Sequence, residues 1–142
     1  MNTALASSVS IAFVVLALWH FWMALFPSTG ASGAVPSDEG RPLFAPSTKA
    51  TVTVGVMLLL FAGLVAATGR LVNLGIAPRI LTGLSFALAA GLLARAIGEF
   101  RYVGFFKQVR GSRFATLDSL VYSPVCLLLA LGVARVAQQN GF

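Results

Sequence analysis

The chain has 142 residues, of which 58% are hydrophobic and 10% are charged, and its mean hydropathy is +0.90. This composition excludes an ordinary water-soluble domain and indicates a small polytopic membrane protein. The net charge of +6 would suggest nucleic acid as the partner of a soluble chain. Here the basic residues flank apolar segments, where they set orientation and contact anionic lipid. We therefore expect membrane lipids, and no nucleic acid, as partners.

Four apolar segments are each long enough to cross the hydrocarbon core, which takes about 20 helical residues. They lie at about Ser7–Phe26, Thr48–Thr68, Pro78–Ile97 and Leu117–Val136. Backbone polar groups in lipid must be satisfied within each segment. The sequence therefore predicts an all-α bundle of four transmembrane helices, forming a single domain over residues 1–142. Because Met1–Ser8 has no Lys or Arg, we expect the first segment to be retained and not cleaved as a signal peptide.

The two longer connections differ in composition. Residues 27–47 hold four of the six prolines together with several Gly and Ser, which is typical of an irregular loop outside the hydrocarbon, folded over the mouth of the bundle. Residues 99–114 interleave aromatic and basic side chains, which favours an interfacial loop with its rings at the acyl boundary. The side chains predicted to contact lipid headgroups are Arg101, Lys107, Arg110 and Arg113.

Local signals refine the ends of the helices. Thr48 is the predicted N-cap of the second span, and Pro78 suits the first turn of the third, where its missing N–H costs nothing. Asp118 lies where the positive end of the fourth helix favours a carboxylate. Pro124 is predicted to kink that helix.

The basic residues are distributed unequally between the two ends of the bundle. The loops after spans one and three, with the adjoining span ends, carry Arg41, Lys49, Arg101, Lys107, Arg110 and Arg113, and Arg95 lies near them. The opposite end carries Arg70, Arg79 and Arg135. Since cytoplasmic loops are enriched in Lys and Arg, we expect both long loops in the cytoplasm and both termini outside.

The third span carries small and charged residues at four-residue spacing, and these therefore share one face. Gly83, Ala87 and Gly91 would let another helix approach closely, which predicts a helix-packing role; Gly55, Gly63 and Ala66 give the second span a similar signal. The stripe continues to Arg95 and Glu99, one turn apart, which predicts an ion pair. In the structural interpretation, Arg95 extends to the interface and Glu99 neutralises it.

Several ionisable or polar side chains fall in the same half of the bilayer. The candidate polar cluster consists of His20, Arg95, Glu99, Asp118 and Tyr122. Ionisable residues within spans are costly and usually functional, so these side chains are candidates to converge in a cavity open to the cytoplasm. Arg95 would suit an anionic headgroup or a carboxylate, and His20 could exchange a proton near neutral pH. In the alternative, His20 binds a neighbouring helix and Asp118 caps the fourth span; spacing alone leaves both open.

Catalytic constellations are not recognisable. Cys126 is the only cysteine, so an internal disulfide is impossible, and no set of residues has the spacing of a metal or haem site. The sequence also lacks a Gly-rich phosphate loop, a nucleophile elbow and an H-E-x-x-H motif. We therefore expect no metal and no cofactor, assign no catalytic residue, and regard a non-enzymatic role as the better interpretation.

Three motifs in the second half of the chain form a family pattern. They are Arg95–Phe106 (RAIGEFRYVGFF), Gly111–Asp118 (GSRFATLD) and Tyr122–Leu127 (YSPVCL). Together with His20-x-Trp22 in the first span, they resemble the small bacterial integral membrane proteins catalogued as domain of unknown function 3995. The resemblance covers nearly the whole chain. It implies a bacterial inner-membrane protein with about four helices, and it implies neither an activity nor functional residues.

Two classes of function follow from these observations. The favoured one is a non-catalytic helical module or accessory subunit that packs with lipid, with itself or within a larger membrane complex. The alternative is binding, transport or enzymatic processing of an anionic or amphipathic small molecule in a polar cavity on the cytoplasmic side.

Overall fold

A computed structural model describes residues 3–27 and 33–141 of the chain, so residues 28–32 of the first long loop lie outside the description. The elements in chain order are α1 (Thr3–Leu25), β1 (Ser37–Asp38), β2 (Arg41–Pro42), α2 (Thr48–Thr68), α3 (Pro78–Ile97), α4 (Arg113–Leu117), a π-helix (Asp118–Tyr122) and α5 (Ser123–Asn140). The last three form one continuous helical stretch. Four helical stretches are long and apolar enough to cross a membrane, which confirms the predicted all-α arrangement of four transmembrane helices.

The helices pack as two pairs. α1 lies mainly against α2, and α3 lies mainly against α5. The chain reverses direction at each connection, so the loops that follow α1 and α3 meet at one end of the bundle, which we call the loop end. Hydrogen bonds join these regions there: the Tyr122 hydroxyl donates to Gly33 O at 2.8 Å, and the Tyr102 hydroxyl donates to Asp38 Oδ2 at 3.4 Å.

The interior of the bundle is small. Phe13 of α1, Val65 of α2 and Val133 of α5 are almost fully buried and lie in its hydrophobic core. Many other Leu, Val, Ile and Phe side chains of the helices are exposed on the outer surface. This is the pattern expected in lipid, because acyl chains are as apolar as the side chains and helices associate through close packing.

Three glycines lie at close contacts between helices, two of them between α1 and α2 and one between α1 and α5. A Cβ added at Gly55 or Gly69 of the α2 segment would overlap Phe21 or Ala6 of α1, and one added at Gly132 of α5 would lie 2.8 Å from Val9 of α1. The predicted role of Gly55 in packing thus has a partner in α1.

The stripe on α3 faces outward. A Cβ added at Gly83 or Gly91 would meet no described atom within 4 Å, and Ala87 is exposed. A Cβ at Gly63 of α2 would likewise meet open space. Among the described residues, no atom thus lies close to the side of Gly63, Gly83 or Gly91 on which a side chain would stand. Their predicted packing role stays a prediction, and this space would suit a helix of another molecule.

Two N-caps correct the predicted helix ends. Ser47, and not Thr48, caps α2, since the Ser47 Oγ accepts a hydrogen bond from the Ala50 N–H at 3.1 Å. Ser112 caps α4 in the same way, accepting from the Ala115 N–H at 3.0 Å. The fourth span therefore begins at Arg113, four residues before the predicted Leu117, and Asp118 lies beyond the first turn. Asp118 is not the cap of this helix.

The π-helix ends at Tyr122, two residues before Pro124. The Ser123 N–H donates to Asp118 O, five residues back, and Pro124 has no N–H and would press its ring against the carbonyl one turn before it. In a regular α-helix, residues five positions apart point roughly 140° away from each other. The wider turn lets both Asp118 and Ser123 face the interior, where each is 0% exposed. The predicted distortion at Pro124 is thus a local widening of the helix.

The first long loop contains a small hairpin. β1 pairs with β2 in antiparallel fashion, with Asp38 opposite Arg41. Glu39 (φ 48°) and Gly40 (φ 76°) form the two-residue turn, and both adopt the left-handed conformation that such a turn needs. The loop is therefore less irregular than its proline content suggests.

Candidate functional site

Asp118 is the centre of the polar cluster. Its Oδ1 accepts a hydrogen bond from Arg95 Nη2 at 2.7 Å. Its Oδ2 accepts from the Gly104 N–H at 2.7 Å and from Lys107 Nζ at 3.0 Å. The side chain is completely buried, and both oxygens are occupied by charged or backbone donors. Such short, charge-assisted bonds are stronger than neutral ones.

Lys107 lies inside the protein, in contrast to the prediction that it contacts lipid headgroups. Its side chain is 0% exposed. Besides Asp118, its ammonium group donates to Gly104 O at 2.9 Å and to Ser119 Oγ at 2.6 Å. Three acceptors match the three donors of an ammonium group. The physical reason for the burial is that the Asp118 carboxylate, deep in an apolar environment, needs opposite charge around it.

The loop after α3 is folded back on the end of that helix so that Lys107 reaches Asp118. Gly98 (φ 88°) and Gly104 (φ 91°) lie so close that a Cβ on Gly98 would overlap Val103 O and one on Gly104 would overlap Ile97 O. The Phe105 N–H donates to Ala96 O at 2.9 Å. Only glycine combines the left-handed backbone with this close approach.

Glu99 stabilises the same turn and does not pair with Arg95. Its Oε1 accepts hydrogen bonds from the Tyr102 N–H and from the Val103 N–H. The predicted ion pair of Arg95 with Glu99 is therefore corrected: the carboxylate that binds Arg95 is Asp118 of the π-helix. The turn at Gly98 ends the helix before Glu99, so the two residues no longer face each other one turn apart.

Tyr122 and Arg95 contribute differently to the cluster. Tyr122 lies one turn beyond Asp118, but its hydroxyl donates to Gly33 O, so it holds the first long loop. Arg95 uses Nη2 for Asp118, while its Nη1 is buried and has no hydrogen-bond partner in the described part of the chain. The Arg95 side chain is 34% exposed and is directed at Asp118.

The other predicted headgroup contacts lie on the surface of the loop end. Arg101, Arg110 and Arg113 are exposed. The Arg101 guanidinium lies 5.0 Å from the centre of the Tyr102 ring, and Arg110 Nη2 donates to Phe105 O at 3.5 Å. Their contact with lipid stays a prediction.

A cavity of about 530 Å³ opens at the loop end, between α1 and α2 and beneath the first long loop. Its lining comes from both helices and from the loop: His20, Met23, Ala24, Pro27, Ala34, Val35, Pro42, Phe44, Ala45, Pro46, Thr48, Ala50, Thr51 and Val54. Most of these side chains are apolar, and His20 is the one titratable residue among the described lining residues.

His20 is held in one orientation by its own helix. Its Nδ1 lies 2.7 Å from Leu16 O, and because a carbonyl oxygen only accepts, Nδ1 carries the hydrogen. The bond to Leu16 also means that His20 does not bind a neighbouring helix through this atom. In the described part of the chain, Nε2 has no hydrogen-bond partner. His20 is therefore a lining residue with one ring nitrogen, Nε2, that makes no hydrogen bond among the described residues.

The structure separates the five residues of the candidate polar cluster. Arg95 and Asp118 are in direct contact, Tyr122 and Glu99 support the adjoining loops, and His20 lies in a cavity whose lining includes none of the other four. Sequence reasoning missed this cavity and the burial of Lys107. The signal for the cavity was the group of prolines that follows the aromatic end of the first span. The signal for the burial of Lys107 was the pair Gly98 and Gly104, which allows the chain to fold back before it. Among the described residues, no group of three His, Cys, Asp or Glu could hold a metal ion.

The four apolar helices define a multi-pass membrane protein with a buried ion-pair network and an apolar cavity at one end. The family model described as "Protein of unknown function (DUF3995)" matches residues 13–133. The chain belongs to this family, which confirms the resemblance seen in its sequence motifs. No curated protein and no solved structure matches it.

Proposed function

We propose that this protein binds an amphipathic small molecule, without transforming it, in the cavity between α1 and α2. The observation that carries the proposal is the size and lining of this cavity. Its volume of about 530 Å³ lies within the range of small-molecule sites, roughly 300–1,000 Å³. An apolar wall with one imidazole suits a molecule that has an apolar body and a single polar group.

The geometry of the polar cluster supports this choice of site. Lys107 donates to three acceptors, and Asp118 accepts from three donors. A buried network that is occupied in this way fixes the local fold. Arg95 donates Nη2 to Asp118, and its Nη1 has no partner among the described residues, so Asp118 already neutralises the charge that the sequence predicted to bind an anion. The amphipathic ligand of the alternative prediction therefore fits the His20 cavity better.

The test is native mass spectrometry on the protein gently extracted from its own membrane, in three forms. The wild type should carry one defined small molecule. Val54→Trp should lose it, because Val54 lines the cavity and the indole would fill it. Val52→Trp is the matched control, because Val52 is on the same helix, is 38% exposed and is not part of the lining.

Two results would contradict the proposal. A wild-type protein that carries no small molecule would remove its basis. Equal retention by Val54→Trp and the wild type would place the ligand outside the cavity.

An accessory subunit is the second candidate function, and the outward face of α3 favours it. The open space around Gly83 and Gly91 would allow a helix of another chain to approach closely. The same mass spectra distinguish the two functions. A stoichiometric protein partner without a bound small molecule would support the accessory role.

The proposed location is the bacterial inner membrane, with the loop end in the cytoplasm and both termini outside. The excess of basic residues at the loop end supports this orientation. Anionic lipid headgroups are the proposed partners of Arg101, Arg110 and Arg113, whose exposure at that end suits such contacts.

A further inference from the structure

We infer that the ligand of the cavity carries an O–H donor, as an alcohol does, and places it on His20 Nε2. Its apolar body then lies against the loop that covers the cavity. This inference rests on the proposed function and specifies the chemistry of the ligand.

The first argument is the fixed orientation of the imidazole. Leu16 O holds the hydrogen on Nδ1, so the neutral ring has its lone pair on Nε2. An O–H group is the natural complement of that lone pair. A molecule with only acceptor oxygens, such as an ester, offers no hydrogen to it. The orientation exists before the ligand arrives, so little ordering of the ring is needed on binding.

The second argument is the position of His20 in the cavity. It lies five residues before the end of α1, about 7.5 Å along the helix at 1.5 Å per residue. The lining residues closer to the loop are mostly apolar, among them Val35, Phe44 and Pro46. The polar group of the ligand thus lies deep, and the hydrocarbon part points toward the loop end.

The third argument concerns the two hydroxyls in the wall. Thr51 Oγ1 donates to Ser47 O at 3.2 Å within α2. Thr48 is the exposed first residue of α2, so its hydroxyl lies at the mouth of the cavity. His20 is consequently the polar lining residue that lies deeper along its helix, and its Nε2 lone pair selects for a donor.

The experiment compares three probes of one chain length: 1-dodecanol, dodecanoic acid and methyl dodecanoate. Affinities for the detergent-purified full chain are measured by native mass spectrometry. At neutral pH the acid is ionised and has no hydrogen to donate, so the alcohol should bind about 10-fold more tightly than the ester, which corresponds to one well-placed hydrogen bond. His20→Phe should reduce this preference to nearly 1-fold. Val54→Trp should weaken all three.

The outcomes separate this inference from the proposed function. Equal affinities for all three probes, blocked by Val54→Trp, would overturn the inference and leave the cavity as a binding site. Failure of every probe to bind would overturn both. A preference for the acid alone would also overturn the inference, because the ionised acid brings no hydrogen to Nε2. If His20→Phe does not fold, the preference measured on the wild type still decides.

Discussion

Asp118 determines the electrostatics of the polar cluster because it is the common partner of two cations. Lys107 is fully buried, and Arg95 is two-thirds buried. Taking an ammonium group out of water costs several kcal/mol, and a nearby carboxylate with good geometry offsets much of that cost. A single side chain therefore holds α3, the loop that follows it and the π-helix in one arrangement.

Replacing Asp118 by Asn should destabilise the protein strongly. The amide keeps the size of the side chain but removes the negative charge, so Lys107 is left buried without a counter-charge. The expected loss in the free energy of unfolding is about 3–5 kcal/mol, the range for breaking a buried ion pair from one side. Unfolding of the detergent-solubilised protein by heat or by sodium dodecyl sulfate measures it.

Glu99→Gln is the matched control, because it retains an oxygen that can accept from the Tyr102 and Val103 N–H groups. It should leave stability nearly unchanged. Adding Lys107→Met to Asp118→Asn should restore part of the loss, since no buried ammonium remains. An Asp118→Asn protein as stable as the wild type would show that the network contributes little.

At the scale of elements, the turn between α3 and α4 depends on two glycines. Gly98 has φ 88° and faces Val103 O at a distance that no Cβ tolerates. Gly83 lies within α3, and a Cβ there would meet open space. Replacing glycine by alanine should therefore have opposite effects on stability at these two positions.

Gly98→Ala should destabilise the protein, whereas Gly83→Ala should not. Left-handed backbone at a residue with a Cβ costs about 1–3 kcal/mol, and the overlap with Val103 adds to this. In the interior of a helix, alanine is favoured over glycine by up to about 1 kcal/mol. Melting temperatures of the two variants in the same detergent test this contrast. An unchanged melting temperature for Gly98→Ala would mean that the turn relaxes without loss.

Sequence reasoning succeeded where local chemistry determines an element. The predicted bounds of α2 and α3 agree with the structure, because hydropathy changes sharply there and Pro78 marks a helix start. It failed at α4, where Arg113 and Thr116 are too polar for a hydropathy window although Ser112 caps the helix. The partner of Arg95 depended on the π-helix, whose wider turn changes which side chains face inward. Four-residue spacing assumes a regular helix and could not predict that.

For the whole molecule, the two helix pairs have separate roles at the loop end. The α1–α2 pair encloses the cavity with His20, and the α3–α5 pair holds the network around Asp118. The hydrogen bond from Tyr122 to Gly33 O links the loop over the cavity to the second pair. Through this hydrogen bond, the α3–α5 pair helps to hold the loop that covers the cavity.

The orientation of the molecule can be tested by chemical labelling of cysteine. In a Cys126→Ser background, Leu74→Cys in the short connection should react with a membrane-impermeant maleimide on intact cells. Glu39→Cys at the hairpin turn should react only after the cells are opened. Both positions are exposed. Labelling of Glu39→Cys on intact cells would reverse the proposed orientation.

The π-helix affects where residues can be inserted into or deleted from this chain. Compared with a regular helix, the stretch from Asp118 to Tyr122 contains an additional residue, and each residue turns an α-helix by about 100°. Deleting one residue between Asp118 and Ser123 would leave these two residues four positions apart, about 40° around a regular α-helix, so both could still face inward with Val133 and Val136. Deleting a residue from the regular part of α5, between Ser123 and Val133, would instead turn Asp118 by about 100° relative to that apolar core. An insertion or deletion at the Glu39–Gly40 turn would only lengthen or shorten a surface hairpin.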